Sequence, residues 1–499
     1  MKRGLLIGMG LVLVGGVVTP AVTPMGVDEA SATPQVAMPF DFDGDGNADL
    51  AVSVAGEDLR GVVGAGAVQV MYGSAAGVTA RDQLWHQGRK GIKNKLEKND
   101  HFGAVLASGD FDADGYADLA VGIPNENLGS VRDAGAVQVL YGSAAGLTAR
   151  DQVWHQGKPG VLGNSERDDH FGRTLAAGDF DADGYADLAI GVSSESVGSI
   201  RSAGRVLVLN GAPGGLTATG AQSWRQGQNG IASQPSQGEG FGAGLAVGDV
   251  NGDGHDDLAI RVAGEADSRP SYYRRNSAMH LLLGSPTGLT STGSQYILAE
   301  DIVDVPDGFS FTLAFGDFNR DGRADLVLAD VEPLVAVLHG HPDGLHPAQL
   351  SQASTPGEDA WWPVRGDFET WETQDVAVGD VTGDGYPDLV LGGDAHTVRL
   401  ILGTDAGLGA GSTRWTVDPA GFPGAVYYFV EVRALSGGAH AWLVASQYYW
   451  NDDPGGAVAV LRGNPDGTAG PVTTWSQDSP GIKGKSEPWD GFGYDSGAQ

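Results

Sequence analysis

The residues best placed to do chemistry in this chain are aspartates, and they recur in a fixed frame. Asp41, Asp43, Asp45 and Asp49 stand at positions one, three, five and nine of a short stretch, with Gly46 at position six and Asn47 at position seven. The frame returns as Asp110, Asp112, Asp114, Tyr116 and Asp118, and again as Asp179, Asp181, Asp183, Tyr185 and Asp187. Asp249, Asn251, Asp253, His255 and Asp257 repeat it with an amide at position three, as do Asp317, Asn319, Asp321, Arg323 and Asp325. In the last copy, Asp380, Thr382, Asp384, Tyr386 and Asp388, that position is a threonine.

The pattern D-x-[DNT]-x-D-G-x-x-D suits a hard divalent cation. Calcium takes about six to eight oxygens from a flexible loop. Alternate residues can turn their oxygens inward, and the glycine permits the sharp bend. The position-seven residue offers its backbone carbonyl and the position-nine aspartate completes the shell. The expectation is therefore about six calcium sites. A competing account makes these Asx turns without metal, which leaves several carboxylates repelling one another. It is strongest where Thr382 replaces a carboxylate. The stretch is not an EF-hand, which needs a bidentate glutamate at position twelve and flanking helices. Position twelve here is Val52, Val121 or Ile190, inside an apolar run.

The elements that carry these loops repeat with them. The first aspartates, Asp41, Asp110, Asp179, Asp249, Asp317 and Asp380, are spaced by 69, 69, 70, 68 and 63 residues, the signature of stacked supersecondary units. Each unit holds four short strand-like runs. In the second they are FGAVLASG from Phe102, DLAVGIP from Asp118, GAVQVLYG (residues 135–142) and Gln152–Gln156. Four strands per unit, repeated radially, make a propeller blade. A seventh unit near 434 has lost its acids: Ala441-Trp442-Leu443-Val444 stands where DLAV belongs. The expected fold is all-β, a seven-bladed β-propeller filling residues 33–499, with units starting near 41, 110, 179, 249, 317, 380 and 434. Phe102, Phe171, Phe241 and Phe309 each precede the first aspartate of a unit by eight residues, and the first unit has no such FG segment. The chain ends with Asp490-Gly491-Phe492-Gly493 and six more residues. The C-terminal strand is expected to complete the first blade, which removes an exposed sheet edge.

The FG pairs, the aspartate loops and the Gly66-Ala67-Val68 and Gly135-Ala136-Val137 strands resemble the FG-GAP repeat of integrin α-chain propellers and their bacterial secreted relatives. The W-x-Q copies at Trp85, Trp154, Trp224 and Trp475 are similar to actinobacterial members. The resemblance implies a seven-bladed fold with calcium on one face and ligand contacts on the other.

Composition narrows the partners. A formal charge of -33 argues against nucleic acid, whose phosphates need Lys and Arg, and against an anionic membrane. The chain has no cysteine, hence no disulfide or thiolate chemistry. Lys2 and Arg3, an apolar stretch to about Val18 and the small residues Ala30-Ser31-Ala32 read as an export signal over residues 1–32. A retained anchor is the competing reading. The expected product is secreted and monomeric, with no membrane span after cleavage.

The expected function is a binding or adhesion module for an extracellular protein or carbohydrate. The alternatives are a hydrolase-associated propeller, phospholipase- or lyase-like, or a purely structural cell-surface component. No catalytic constellation, paired acid site or His-rich metal site stands out from the repeats. His86 and His155 occupy blade positions held elsewhere by Arg225 and Ser476, which makes them structural. Arg365-Gly366-Asp367 is an adhesion tripeptide of a length that chance readily produces. Trp361, Trp362, Trp371, Tyr448, Tyr449 and Trp450 are aromatic candidates for ligand contact. The face opposite the acidic loops should carry charged recognition loops: Asn125 to Asp133 with Glu126 and Arg132; Glu195 and Arg201; and the links bearing Arg89, Lys90, Lys93, Lys95, Lys98, Glu166, Arg167 and Asp168.

Overall fold

Apolar runs of four to six residues bounded by glycine are too short for helices and pair instead as strands. A computed structural model of the chain describes residues 37–266, 275–298, 302, 311–330, 335–347, 376–392, 397–416, 427–435, 441–449, 456–485, 490 and 492. The export segment, Phe309, Arg365-Gly366-Asp367, Trp361, Trp362, Trp371 and Trp450 lie outside the described residues.

Seven antiparallel sheets follow one another along the chain. The first holds β1 (Leu50–Val54), β2 (Ala67–Met71) and β3 (Asp82–Trp85). The second holds β4 (Val105–Gly109), β5 (Asp118–Ile123), β6 (Ala136–Leu140) and β7 (Asp151–Trp154), paired in that order. Five more four-stranded sheets span Thr174–Trp224, Phe241–Leu298, Phe311–Pro347, Val376–Thr416 and Tyr427–Trp475. The first strand of each blade packs on the first strand of the next, from β4 onto Thr174–Gly178 and so on to Val376–Gly379 against Tyr427–Leu435. The molecule is a seven-bladed β-propeller. The inner strands are buried on both faces, as β5 and β6 show, whereas the outer strand β7 is half-buried at its centre. Phe102, Phe171 and Phe241 are fully buried between blades. The glycine of each G-A-V strand makes room for them. A Cβ on Gly66 would lie 2.3 Å from Phe102 N, and one on Gly135 2.3 Å from Phe171 N.

Both termini complete the first blade. Phe492 bridges antiparallel to Val54, and Gly56 N–H donates to Asp490 O at 3.0 Å. At the other end of β1, Asp49 N–H donates to Phe40 O at 2.7 Å. Phe40 thereby stands where Gly109 stands opposite Asp118 in the second blade. The C-terminus supplies the FG end of the missing strand and residues just before Asp41 supply the other end.

Side chains reproduce the closure. Gln87 Nε2 donates to Glu126 Oε2 of the next blade (2.6 Å), Gln156 Nε2 to Glu195 Oε2 (2.8 Å) and Gln477 Nε2 to Glu57 Oε2 (2.6 Å), the last across the seam. Lys93 docks on Asp151 through its N–H (2.9 Å) and Nζ (3.1 Å). Lys483 docks on Asp82 in the same way at 2.7 and 2.6 Å. These contacts correct one expectation. Glu126 and Glu195 are buried, 2 % and 4 % exposed, because a buried amide needs its acceptor. They join blades and are not displayed for recognition. The W-x-Q glutamine is the other half of that joint. Burial pushes His86 down to about 4 and lowers His155, which suits neutral structural positions.

Candidate metal centres

Each acidic loop links the first two strands of its blade, and its first aspartate caps it. Asp41 accepts from Asp45 N (3.1 Å) and Gly46 N (2.9 Å), and Asp110 from Asp114 N (3.1 Å) and Gly115 N (3.0 Å). Asp179, Asp249, Asp317 and Asp380 do the same for Asp183 and Gly184, Asp253 and Gly254, Asp321 and Gly322, and Asp384 and Gly385. The position-five aspartate then accepts from the position-seven N–H: Asn47, Tyr116, Tyr185, His255, Arg323 and Tyr386 each donate to it at 2.9–3.1 Å. Five of the six loops are also tied to the next blade. Asp41 O accepts from Ala117 N, Asp110 O from Ala186 N, Asp179 O from Asp256 N, Asp249 O from Ala324 N and Asp380 O from Ala441 N. These contacts join the first five loops in series on one face of the propeller and tie the sixth to the seventh blade; between the fifth and sixth the donor position is Pro387, which has no N–H.

The position-nine aspartate has a structural task that the spacing does not reveal. Asp49 accepts from Phe42 N (2.9 Å) and from Gly73 N (2.8 Å), which follows the third strand of the blade. Asp118 takes Phe111 and Gly142, Asp187 Phe180 and Gly211, Asp257 Val250 and Gly284, and Asp388 Val381 and Gly403. Asp325 takes Gly340 N at 3.0 Å and faces His339 Nδ1 at 3.1 Å. The partner is glycine every time because the strand passes over the loop. A Cβ on Gly73 would lie 2.2 Å from Ala48 O, and one on Gly403 2.1 Å from Pro387 O. That recurring glycine was the available signal.

The loops differ in what they bring together. Asp41, Asp43 and Asp45 place ligand oxygens within 4.8 Å of one another, as do Asp110, Asp112 and Asp118, and Asp179, Asp181 and Asp187. Among the described residues the other three loops hold no such acidic trio. There the position-three residue turns to a neighbour. Asn251 Nδ2 donates to Asp253 Oδ2 (3.1 Å), Asn319 Nδ2 to Asp321 Oδ2 (3.3 Å) and Thr382 Oγ1 to Asp388 Oδ2 (3.0 Å). Arg323 Nη2 adds an ion pair to Asp321 at 2.7 Å, and His255 Nδ1 lies 3.0 Å from Asp253.

Buried carboxylate oxygens without a partner favour a cation; the fifth loop has one in Asp325 Oδ2, and the first two loops have one each inside an acidic trio. Asp43 and Asp112 each pair through one oxygen with Arg81 and Arg150, which lie over the rings of Tyr72 and Tyr141. Their other oxygens, Asp43 Oδ1 and Asp112 Oδ1, are buried with no hydrogen-bond partner. A buried carboxylate oxygen in that state is costly. Burial also pushes Asp49 up to about 8, Asp118 to about 9 and Asp187 to about 8, and raises Asp110. A hard dication would meet the orphaned oxygens and favour the ionised forms. An all-oxygen donor set fits calcium. Asp41, Asp43, Asp45 and Asp49, and their counterparts in the second and third loops, would hold it. What the ion would supply is a cross-link between the loop and the strands that Asp49, Asp118 or Asp187 already joins.

Fold and site together define a seven-bladed propeller with acidic loops on one face. The FG-GAP repeat family matches residues 33–71, 102–140, 171–209 and 241–273, and the FG-GAP-like repeat matches 317–391. The chain belongs to the FG-GAP repeat β-propellers. Among curated relatives it is 34 % identical over 151 residues to phosphatidylinositol-glycan-specific phospholipase D of Mus musculus, covering 30 % of this chain and 17 % of that protein. It is 28 % identical over 237 residues to integrin alpha-PS2 of Drosophila melanogaster, covering 46 % and 15 %. The chain thus spans less than a fifth of the length of these relatives. Among solved structures, an Agrocybe aegerita lectin that recognises non-reducing terminal N-acetylglucosamine aligns with a TM-score of 0.48 at 15 % identity, covering 89 % of this chain and 94 % of that one.

Proposed function

We propose that this is a secreted calcium-binding propeller that acts as an extracellular binding module, with a protein or glycan as its partner. The observation that carries the calcium reading is the orphaned, buried oxygen of Asp43 and Asp112, each inside a trio of carboxylates. The role of calcium here is structural. It holds the blade loops so that the opposite face, built from the links between blades, presents a fixed surface. That face exposes Arg132, Arg167, Asp168 and Lys95. The match to a phospholipase D supports a second reading, a propeller that accompanies catalysis.

Calcium titration by calorimetry, together with melts in calcium and in chelator, tests the first part. At least three sites and a higher midpoint with calcium are expected, and identical midpoints with no heat would overturn it. A protein and glycan array probed with calcium present tests the second. A hit that is weakened by Arg167→Glu with an unchanged melt is expected. A hit that responds solely to substitutions in the acidic loops of folded protein would move the site to the other face.

A further inference from the structure

The hairpin that closes the fifth blade departs from its sisters in a chemically specific way. In the first two blades the turn between the third and fourth strands starts at Ser74 or Ser143, whose hydroxyl donates to Gly77 O or Gly146 O at 2.8 Å. Ser285 and Thr404 make the same bond at 2.6 and 2.7 Å. Thr79 and Thr148 then donate to Tyr72 O and Tyr141 O at 2.8 and 3.0 Å. In the fifth blade the corresponding residues are His341 and His346, with Asp343 at the tip between them. The strands Val335–His341 and Gly344–Pro347 pair His341 with Gly344 and His339 with His346. His341 is therefore a diagonal neighbour of His346 on one face of the hairpin. Their ring centroids are 4.5 Å apart. Asp343 Oδ1 sits between them, against His341 Nδ1 and 2.7 Å from His346 Nε2.

We propose that His341, Asp343 and His346 form a binding site for a divalent transition ion of the zinc class, separate from the calcium loops. Their candidate ligand atoms all lie within 4.8 Å of one another. The three side chains are 56 %, 70 % and 51 % exposed, so an ion reaches them directly from solvent. Imidazole nitrogens suit zinc, copper and nickel, whereas calcium selects oxygen. Two imidazoles and one carboxylate leave a fourth position for water or an external ligand. His339 is not among the residues whose ligand atoms converge, and its Nδ1 faces Asp325 instead. The turn itself does not require histidines, since four sister hairpins start with a hydroxyl and the third starts with Ala212. Nor do these side chains serve the core, from which they project. The acidity of the whole chain concentrates cations near its surface.

Zinc binding to the full chain by equilibrium dialysis, with calcium in excess, tests the site. One zinc per chain that calcium does not displace is expected. The double variant His341→Ser, His346→Thr installs the pair used by the first, second and fourth hairpins and should melt like the parent. It should bind zinc at least tenfold more weakly, at or beyond the loss typical of disturbing a metal shell. Asp343→Asn, at the exposed tip, gives a second route to the same loss should the double variant fold poorly. Cobalt(II) offers a spectroscopic readout, with visible absorption in the parent and none in the variants. Equal zinc uptake by parent and variants, or zinc that calcium displaces stoichiometrically, would overturn the proposal and assign the ion to the acidic loops.

Discussion

The first three acidic loops and the three that follow share a backbone cradle and differ in charge. In all six, the first aspartate caps the N–H groups at positions five and six, and the ninth ties the loop to a glycine at the end of the third strand. In the first three, carboxylates crowd together; in the fourth and fifth, an asparagine amide at position three has turned onto the position-five carboxylate. The amide does part of the work of a cation. The lesson is that the motif combines two functions. Positions one and nine build the blade whether or not metal comes, and position three decides how strongly the loop calls for it.

Calcium removal should therefore produce the largest effect, and an uneven one. At millimolar calcium and dissociation constants of roughly 0.1–1 mM, each occupied site adds about 0.4–1.4 kcal/mol. Three sites amount to about 1–4 kcal/mol, a substantial share of a typical stability. Hydrogen exchange with and without chelator should show protection lost chiefly in β1, β5 and Asp187–Val192. Equal loss in Asp257–Ala266 and Asp388–Gly392 would erase the distinction between the loop sets.

Next in size is the position-nine aspartate. Asp118 is fully buried and holds Phe111 N and Gly142 N. Asp118→Ala leaves both donors unpaired, and about 2–4 kcal/mol should go, even in chelator. Asp388→Ala should cost a similar amount although its loop has no acidic trio. Asp114→Asn keeps an oxygen for Tyr116 N, so in chelator it should shift stability by less than about 0.5 kcal/mol while blunting the calcium response. Urea melts of the three variants in chelator separate the two functions, and a harmless Asp388→Ala would show that the cradle matters solely where metal binds.

Much of this is legible in the sequence. The aspartate frame and its 69-residue step led to blades because short glycine-bounded runs leave no other economical packing. The joints between blades were not legible in the same way. Glu126 and Glu195 lie in polar turns and read as exposed; their burial follows from Gln87 and Gln156, each 39 residues earlier. That equal separation is the signal the sequence carries. The first blade's inner edge is half-legible, since the FG pattern points to Phe492 whereas nothing in it marks Phe40. The histidines of the fifth hairpin are not legible as a pair because their partnership depends on strand register, which brings His341 and His346 together across a turn.

A pH experiment sharpens the contrast between the two faces, with a smaller expected effect. Asp100 lies in the link between the first two blades, away from the acidic loops. Burial, reinforced by the charges of Glu126 and Glu97, pushes it up to about 8, and Asp100 Oδ1 is buried without a partner. Asp169 is raised to about 7 in the next link, again chiefly by burial. An unfolded aspartate titrates near ~3.9. The folded state therefore holds these protons more tightly, so the stabilisation is complete below that value and lost as pH rises toward about 8. With calcium in excess, the protein should melt higher at pH 6 than at pH 8. Asp100→Asn should flatten part of that slope; an unchanged slope would place its origin elsewhere.

The smallest effect concerns the arginines that distinguish the first two loops from the third. Arg150 pairs with Asp112 and lies 3.9 Å from the Tyr141 ring centroid, and Arg81 repeats this on Asp43 and Tyr72. In the third blade the corresponding position is Thr219. Without metal, Arg150 offsets the crowding of Asp110, Asp112 and Asp118, so Arg150→Ala should lower the chelator melt, by no more than about 1 kcal/mol because the guanidinium is 45 % exposed. With metal, the same charge opposes the incoming dication. Its removal should tighten calcium binding at that loop by roughly two- to tenfold, and less at high salt. The two signs are opposite, which makes the result hard to mistake for general damage. The third loop, already without arginine, provides the reference affinity in the same titration. Should Arg150→Ala weaken calcium binding instead, the arginine's task is to aim Asp112 Oδ1 at the ion. The third loop would then be the weakest of the first three rather than the strongest.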